Sequence, residues 1–155
     1  MQFKITVIAL GRKNEALDEE ALRYQRLIRP YATLSMVHVK PPVFPEMRVN
    51  EIILREGKLL QSKWPHASYP VALSEEGRSI TSVGFSQWLS SHLQNYRHIV
   101  FTIGGAYGLS PLLKQQCGDV LSLSPMTFPH KLCAVVLAEQ LYRAFTILHH
   151  HPYHK

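Results

Sequence analysis

The last seven residues, HHHPYHK, contain the side chains of this chain that are best suited to moving a proton. Histidine gains and loses a proton near neutral pH, so His154 has the chemistry of a general base, and Tyr153 has that of a group that stacks on a planar ring or hydrogen-bonds it. The three adjacent histidines at 149–151 cannot all face one ion, so we expect no metal site. On these residues alone, a solvated chain end is the simpler interpretation.

A second candidate stands on the helix pattern that precedes this tail. Glu139 and Arg143 are four residues apart, an order that stabilises a helix surface by itself. The residues around them are mostly apolar, which indicates a largely buried helix, and a buried arginine needs a ligand. We therefore favour a role for Arg143 at a substrate, with Glu139 orienting it, over a purely structural ion pair.

Strands and helices alternate along the whole chain. Strand patterns lie at 3–10, 33–40, 69–74, 98–105 and 119–124, and helix patterns at 15–29, 49–64, 81–93, 109–117 and 129–151. We expect the turn EEGR to close the third strand, Asn50 to cap the second helix and Thr127 to cap the last. The pattern predicts an α/β domain with a mostly parallel sheet flanked by helices, whose ligand lies beyond the carboxyl ends of the strands.

Three loops meet at that edge in this reading, at 73–78, 103–111 and 121–129. The middle loop contains Gly104 and Gly105, but Ile103 stands where a dinucleotide fingerprint needs glycine, and the loop lacks the Gly-Lys-Ser/Thr end of a P-loop. The glycines then either admit close approach of another ligand or serve a tight turn. The third loop can offer backbone groups to a planar heterocycle, or it is a rigid connector.

Composition and charge narrow the class of protein. The 155 residues fit one domain. The sequence shows no apolar run long enough for a membrane span and no cleavage site near the start, so we expect a cytoplasmic protein. In that compartment Cys117 and Cys133 are expected to be reduced thiols. Net charge is +6, and residues 78–155 hold six Lys/Arg against two Asp/Glu. Few carboxylates suit a polyanionic partner such as nucleic acid, although a basic protein without such a partner is equally compatible.

Four motifs coincide in order and spacing: FTIGGAYGLSP, LSLSPMTFPHKL, LAEQLYRAF and the terminal PYHK. Together they resemble the RlmH family of ribosomal RNA methyltransferases, of the SPOUT class, over the whole chain. The resemblance implies one domain over residues 1–155 with a C-terminal trefoil knot at about 98–155, which would anchor the tail at the active site. It implies a homodimer that uses S-adenosylmethionine to methylate N3 of a pseudouridine in large-subunit (23S) ribosomal RNA within the assembled ribosome.

The same resemblance assigns residues by motif. It gives catalytic roles to Arg143, Tyr153 and His154, with His154 as the base, and contacts with RNA to His130 and Lys131. The predicted cofactor contacts are Leu73, Gly104, Leu123, Ser124, Pro125, Met126, Thr127 and Phe128.

Two positions depart from the family pattern. Ser74 stands where an aspartate is usual, and Ala134 where an arginine is usual, which leaves Lys131 as the nearest cation. The missing arginine at Ala134 keeps open a ribosome-binding relative with impaired catalysis. The terminal histidines keep open a metal-binding module that uses the tail.

Overall fold

Five strands and five helices make up the computed structural model, which describes residues 2–12, 14–43 and 46–155. The strands are β1 (Phe3–Leu10), β2 (Ala32–Val39), β3 (Tyr69–Ser79), β4 (His98–Ile103) and β5 (Asp119–Ser122). The helices are α1 (Glu15–Ile28), α2 (Val49–Ser62), α3 (Ser82–Asn95), α4 (Pro111–Gln116) and α5 (His130–Leu148).

The strands form one sheet in the order β2-β1-β4-β3-β5, and every pair is parallel. A helix separates each strand from the next, which is the connection that parallel pairing requires. The predicted α/β class with a parallel sheet is confirmed. The carboxyl ends of β4, β3 and β5 are therefore neighbours at one edge.

Helices cover both faces of the sheet. One core cluster joins alternate residues of β1 (Ile5, Val7 and Ala9) to α1, α3 and α5, while the other joins Ile8 and Leu10 to α2 and α4. Helix α5 packs against both α1 and α3. Its buried residues include Leu137, Leu141 and Phe145, so the last helix belongs to the main core.

Strand β3 corrects one prediction from the sequence. EEGR does not close the strand at Ser74, since pairing with β5 resumes and the strand runs on to Ser79. Leu121 pairs with both Leu73 and Arg78, so residues 74–77 leave the ladder as an excursion from a continuing strand. The physical reason is that β5 supplies partners on both sides of the excursion.

Both predicted caps are wrong. Helix α2 begins at Val49 after Arg48, so Asn50 lies inside its first turn. Helix α5 has Pro129 at its N-cap and no side-chain cap, two residues beyond Thr127. A cap at Thr127 would make Phe128 the first helical residue, and a residue before proline disfavours helical backbone angles.

Cys117 and Cys133 are both free and partly buried, as predicted. Within the described ranges no helix is both long and apolar enough to cross a bilayer. The trefoil knot at 98–155 and the single domain over 1–155 stay predictions.

Asp119 joins three elements at the start of β5. Its Oδ2 accepts hydrogen bonds from the Tyr69 hydroxyl (3.0 Å) and Trp88 Nε1 (3.0 Å), and it lies 3.2 Å from His92 Nε2. Burial and this carboxylate raise the pKa of Tyr69 to about 12, so the phenol stays protonated and remains a donor. One carboxylate thus ties β5 to β3 and α3.

We expect Asp119→Ala to lower the free energy of unfolding by about 1–3 kcal/mol, because it leaves partly buried donors without an acceptor. Urea unfolding measures the change. Asp119→Asn, which keeps one acceptor oxygen, should cost less than Asp119→Ala. Equal losses in the two variants would contradict this assignment.

Candidate functional site

A cavity of about 700 Å³ opens where β3, β4 and β5 end. This size falls within the range of about 300–1,000 Å³ typical of small-molecule sites. The three loops predicted to be neighbours do meet here. The lining residues are Leu73, Ser74, Glu75, Ile103, Gly104, Gly105, Ala106, Tyr107, Gly108, Leu123, Met126, Thr127, Phe128, Pro129, His130 and Cys133.

The glycine loop at 104–108 forms one wall and folds tightly on itself. A Cβ at position 104 would lie 2.7 Å from both the carbonyl carbon and the oxygen of Gly108, and Gly108 has a φ of +80°. The Gly108 N–H donates to the Gly105 carbonyl oxygen at 3.0 Å. The loop's own backbone therefore requires glycine at 104 and favours it at 108.

The wall at 123–130 is stiffened by short-range hydrogen bonds. Ser122 Oγ donates to the Ser124 carbonyl oxygen (2.8 Å), and Ser124 Oγ accepts from the Met126 N–H (3.0 Å). Ser124 thus shapes the loop without lining the cavity, and its neighbour Pro125 also lies off the lining. The other predicted cofactor residues, from Leu73 to Phe128, all line it.

The titratable groups of the cavity favour a neutral or cationic ligand. Burial, helped by the charge of Lys131, lowers the pKa of His130, so its imidazole is neutral at pH 7. Burial, with the charge of Glu75, raises the pKa of the Cys133 thiol to about 11, so the thiol is no nucleophile at neutral pH. Glu75 supplies a carboxylate, and the described lining contains no lysine or arginine.

The two family departures have different structural settings. Ser74 lines the cavity beside Glu75, so a carboxylate stands one residue from the usual position. Ala134 is 2% exposed and belongs to the main core cluster. An arginine side chain at this position would have to extend out of that core for its guanidinium to reach solvent or a ligand.

Lys131, one of the two predicted RNA contacts, is nearly buried, and its role stays a prediction. It is 8% exposed, its Nζ lies 3.5 Å from Asp18 Oδ1, and it lies 3.4 Å from His38 Nδ1. Its ammonium is therefore turned into the protein in this arrangement. His130, the other predicted RNA contact, lines the cavity.

The predicted catalytic residues form a second cluster at the other end of α5. Glu139 Oε1 accepts from Arg143 Nε (2.9 Å), Arg143 Nη2 (2.6 Å) and the Tyr153 hydroxyl (3.2 Å). Arg143 Cζ lies 4.9 Å from the centre of the Tyr153 ring, and Nη1 lies 3.1 Å from His154 Nδ1. The structure thus brings Arg143, Tyr153 and His154 together.

The contact between Arg143 and His154 Nδ1 is compatible with one tautomer of the histidine ring. Arginine only donates hydrogen bonds, so Nδ1 accepts and the neutral ring bears its hydrogen on Nε2. Burial and Glu139 raise the pKa of Tyr153 to about 12, so the phenol is also a donor at neutral pH. In this arrangement the Tyr153 hydroxyl donates to Glu139, and Arg143 donates to the lone pair of His154 that a base would use.

The tail cluster does not line the cavity of the same chain. His130 begins α5 at the cavity and Arg143 stands 13 residues further on. At 1.5 Å per residue the helix separates them by about 20 Å. One chain therefore does not bring the predicted cofactor residues and the predicted catalytic residues to one place.

The terminal histidines were the candidate metal ligands of the tail. His149 Nδ1 lies 2.9 Å from the Phe145 carbonyl oxygen and is held by its own helix. Among the residues that the structure describes, no cluster of three His, Cys, Asp or Glu could hold a metal ion.

Sequence reasoning missed three side chains that matter at the cavity, namely Glu75, Tyr107 and Cys133. Helix spacing offered a signal for Cys133, which follows the lining residue His130 by one turn. The stretch EEGR is typical of an ordinary turn and gives no signal for Glu75. Tyr107 stands among glycines, whose pattern predicts only a backbone role for the loop.

The comparisons with known proteins bear on this site. A family model described as "Predicted SPOUT methyltransferase" matches residues 3–154. The chain belongs to the SPOUT methyltransferase family. The family resemblance read from the four motifs is confirmed.

Relatives of this SPOUT chain match it from end to end and share one name, "Ribosomal RNA large subunit methyltransferase H". The protein from Natranaerobius thermophilus is 37% identical over 158 residues, covering 98% of this chain and 99% of the relative. The one from Gloeobacter violaceus is 36% identical with the same coverage. The one from Neisseria gonorrhoeae is 39% identical, covering 99% of both.

Two solved structures share the SPOUT chain's fold. A probable methylase family protein from Haemophilus influenzae has a TM-score of 0.57 and 12% identity, covering 97% of this chain and 70% of that one. A probable methyltransferase from Bordetella pertussis has a TM-score of 0.57 and 16% identity, covering 90% and 95%. At these identities the likeness concerns the fold.

We expect Gly104→Ala to lower the free energy of unfolding of the SPOUT chain by about 1–3 kcal/mol. The added methyl group would clash with the Gly108 carbonyl, and these backbone atoms cannot rotate away as a side chain could. Gly105→Ala is the matched control. Its methyl meets only Glu56 Oε2 at 3.4 Å and Leu10 Cδ1 at 3.6 Å, which are ordinary contacts. Urea unfolding of both variants decides the matter, and equal losses would contradict the clash at 104.

Proposed function

We propose that this protein uses S-adenosylmethionine to methylate N3 of a pseudouridine in large-subunit (23S) ribosomal RNA within the ribosome. The observation that carries the proposal is the cavity at the ends of β3, β4 and β5, in a chain whose end-to-end relatives are named ribosomal RNA large subunit methyltransferase H. The basic, carboxylate-poor second half of the sequence supports a polyanionic substrate.

The residues of the cavity fit such a cofactor. Its sulfonium is a cation, and the lining offers the Glu75 carboxylate, a neutral His130 and a neutral Cys133. The backbone of 123–128 and the close-packed glycine loop offer polar main-chain groups to a planar heterocycle. When bound, the cofactor supplies a methyl group activated for in-line displacement.

The chain's own contribution to the reaction is position and hydrogen bonding. Displacement requires the N3 nucleophile to be aligned with the methyl group and its proton to leave. The described tail offers the His154 Nε2–H, which can hold a carbonyl oxygen of a base, while the Tyr153 hydroxyl donates to Glu139 and leaves its ring to stack on the base. In this arrangement the N3 proton is released to water, and Arg143 orients His154 and Tyr153 on Glu139.

We further propose a homodimer in which the tail of one copy completes the cavity of the other. The separation of about 20 Å along α5 prevents both parts from acting within one chain. Exposed apolar side chains near the cavity favour a second copy of this chain as the occupant: Tyr107 (55% exposed), Met126 (73%) and Leu132 (38%). A twofold axis would pair the two cavities with the two tails.

Subunit complementation tests the shared site. Thr127→Trp fills the cavity while keeping the tail, and deletion of residues 152–155 removes the tail while keeping the cavity. Each variant alone should be inactive on ribosomes. Because a mixed dimer regains one intact site, refolding the two at equal amounts should restore about a quarter of wild-type activity.

The control is the same mixture made without exchange of subunits, which should remain inactive. Light scattering confirms the dimer in each sample. No recovery in exchanged mixtures, or full activity of the tail deletion alone, would contradict the shared site.

We expect His154→Ala to lower the rate of methyl transfer by about tenfold, which is the loss of one hydrogen bond to a neutral acceptor. Removing a general base would instead cost about 10²–10⁴-fold and would abolish a limb of the pH–rate profile. His154→Gln, which keeps an N–H donor, should recover part of the rate. The measurement is single-turnover methylation between pH 6 and 9, and a lost limb in His154→Ala would restore His154 as the base.

The function itself is tested by mass spectrometry of ribosomal RNA from cells with and without the gene. We expect one methylated pseudouridine to lose its methyl group when the gene is absent. An unchanged pattern, with binding to ribosomes retained, would support the alternative of a ribosome-binding relative with impaired catalysis. Ala134 and the inward-turned Lys131 are the features that favour that alternative.

A further inference from the structure

Helix α2 carries a carboxylate that the chemistry described so far does not use. Glu56 is 7% exposed, and its Oε1 is buried with no hydrogen-bond partner among the described residues. Burial raises the pKa of this carboxyl group. A buried polar atom without a partner is costly, and its presence in a folded chain requires an explanation.

Glu56 stands directly behind the glycine wall of the cavity. A Cβ on Gly105 would lie 3.4 Å from Glu56 Oε2 and 3.7 Å from Oε1, and Gly105 itself lines the cavity. The carboxylate is therefore separated from the cavity by one glycine, which has no side chain to screen it.

The next residue on α2 holds this arrangement in place. A Cβ on Gly57 would lie 2.8 Å from Ser110 Oγ, and Ser110 Oγ caps α4 by accepting from the Leu113 N–H at 3.1 Å. Successive residues of α2 thus sit against both ends of segment 105–110. This packing fixes the position of the α2 backbone at Glu56 relative to the glycine wall.

We propose that Glu56 is a counter-charge behind the cavity wall, which makes the cavity favour a sulfonium methyl donor over the neutral thioether that remains after transfer. The proposal rests on the proposed function, since it concerns the ligand of that cavity. Because Glu56 is buried, its carboxylate and a cation on the other side of one glycine interact more strongly than two charges in bulk water would.

The proton balance follows from the burial. Without ligand, the buried carboxyl group holds its proton to a higher pH than an exposed glutamate does. At a pH between 4.5 and the raised folded-state pKa of Glu56, entry of the sulfonium breaks the O–H bond, the proton passes to the buffer, and the carboxylate faces the cation. After methyl transfer the thioether carries no sulfur-centred charge, so Glu56 takes a proton back and the product is held less tightly.

The other carboxylate at this cavity is Glu75, which lines it directly, whereas Glu56 stands behind the glycine wall. The elements packed against α2 are β1 and α4. Lys4 lies at the opposite end of β1 from Leu10, and Lys114 of α4 has its Nζ 3.2 Å from Glu76 Oε2. The remaining titratable groups on α2 and on the glycine loop are Glu51, Arg55, Lys58 and Tyr107.

Isothermal titration calorimetry tests the proposal with S-adenosylmethionine and S-adenosylhomocysteine on wild type, Glu56→Gln and Glu51→Gln. The amide keeps the shape of Glu56, and Glu51 is an exposed carboxylate on the same helix. We expect Glu56→Gln to reduce the preference for the sulfonium by about tenfold and to abolish the extra proton release seen with it, measured in two buffers of different ionisation enthalpy. Glu51→Gln should behave as wild type.

An unchanged preference with unchanged proton release in Glu56→Gln would overturn the proposal. An equal loss of affinity for both ligands would also overturn it, because that result assigns Glu56 a merely structural part. If wild type binds neither ligand, the proposed function fails first, and the two failures are thereby distinguished.

The ligand-free protein gives an independent readout. The folded-state pKa of Glu56 is raised above its ordinary value of 4.5, so the unfolded chain loses the proton first and stability falls as pH rises from 4.5 through the folded-state pKa. Glu56→Gln lacks this decline, so its melting temperature should gain on wild type across that window. A parallel pH dependence of the two proteins would show a satisfied carboxylate and overturn the proposal.

Discussion

The parallel pairing of β3 with both β4 and β5 is the constraint on which the site depends. Because all three strands run in one direction, their carboxyl ends must emerge at the same edge, and the loops that follow them must share space. β5 has only four residues, so its position rests on ladder pairing and on the contacts of Asp119 with Tyr69 and Trp88. The strand order therefore determines where the cavity lies, and the glycine and proline residues of the surrounding loops determine its shape.

Helix α5 adds a second constraint, that of length. It starts at the cavity wall and ends at the tail, and its burial against α1 and α3 leaves it no freedom to bend one end toward the other. A helix of 19 residues separates the two groups of predicted site residues. The helix that completes the core is also the reason why the proposed catalytic unit involves two copies.

Much of this arrangement could be predicted from the sequence because it depends on local periodicity. The alternation of strand and helix patterns predicted the α/β class. The positions where the strands end predicted that the three loops would be neighbours. The continuation of β3 beyond Ser74 could not be predicted, because it depends on Leu121 pairing twice with a distant segment. The inward course of Lys131 was also hidden, since Asp18 and His38 come from elements far away in the chain. Family motifs located the tail residues, but the direction of the Arg143–His154 hydrogen bond required three-dimensional geometry.

The burial of the Cys133 thiol at the cavity wall determines how readily oxidants react with it. With a pKa of about 11, only about one such thiol in ten thousand is a thiolate at pH 7. Peroxides and disulfides react with the thiolate form. Cys133 beside the ligand site therefore reacts with them more slowly than an ordinary exposed cysteine does. The same burial that removes Cys133 from catalysis protects the site from oxidative inactivation.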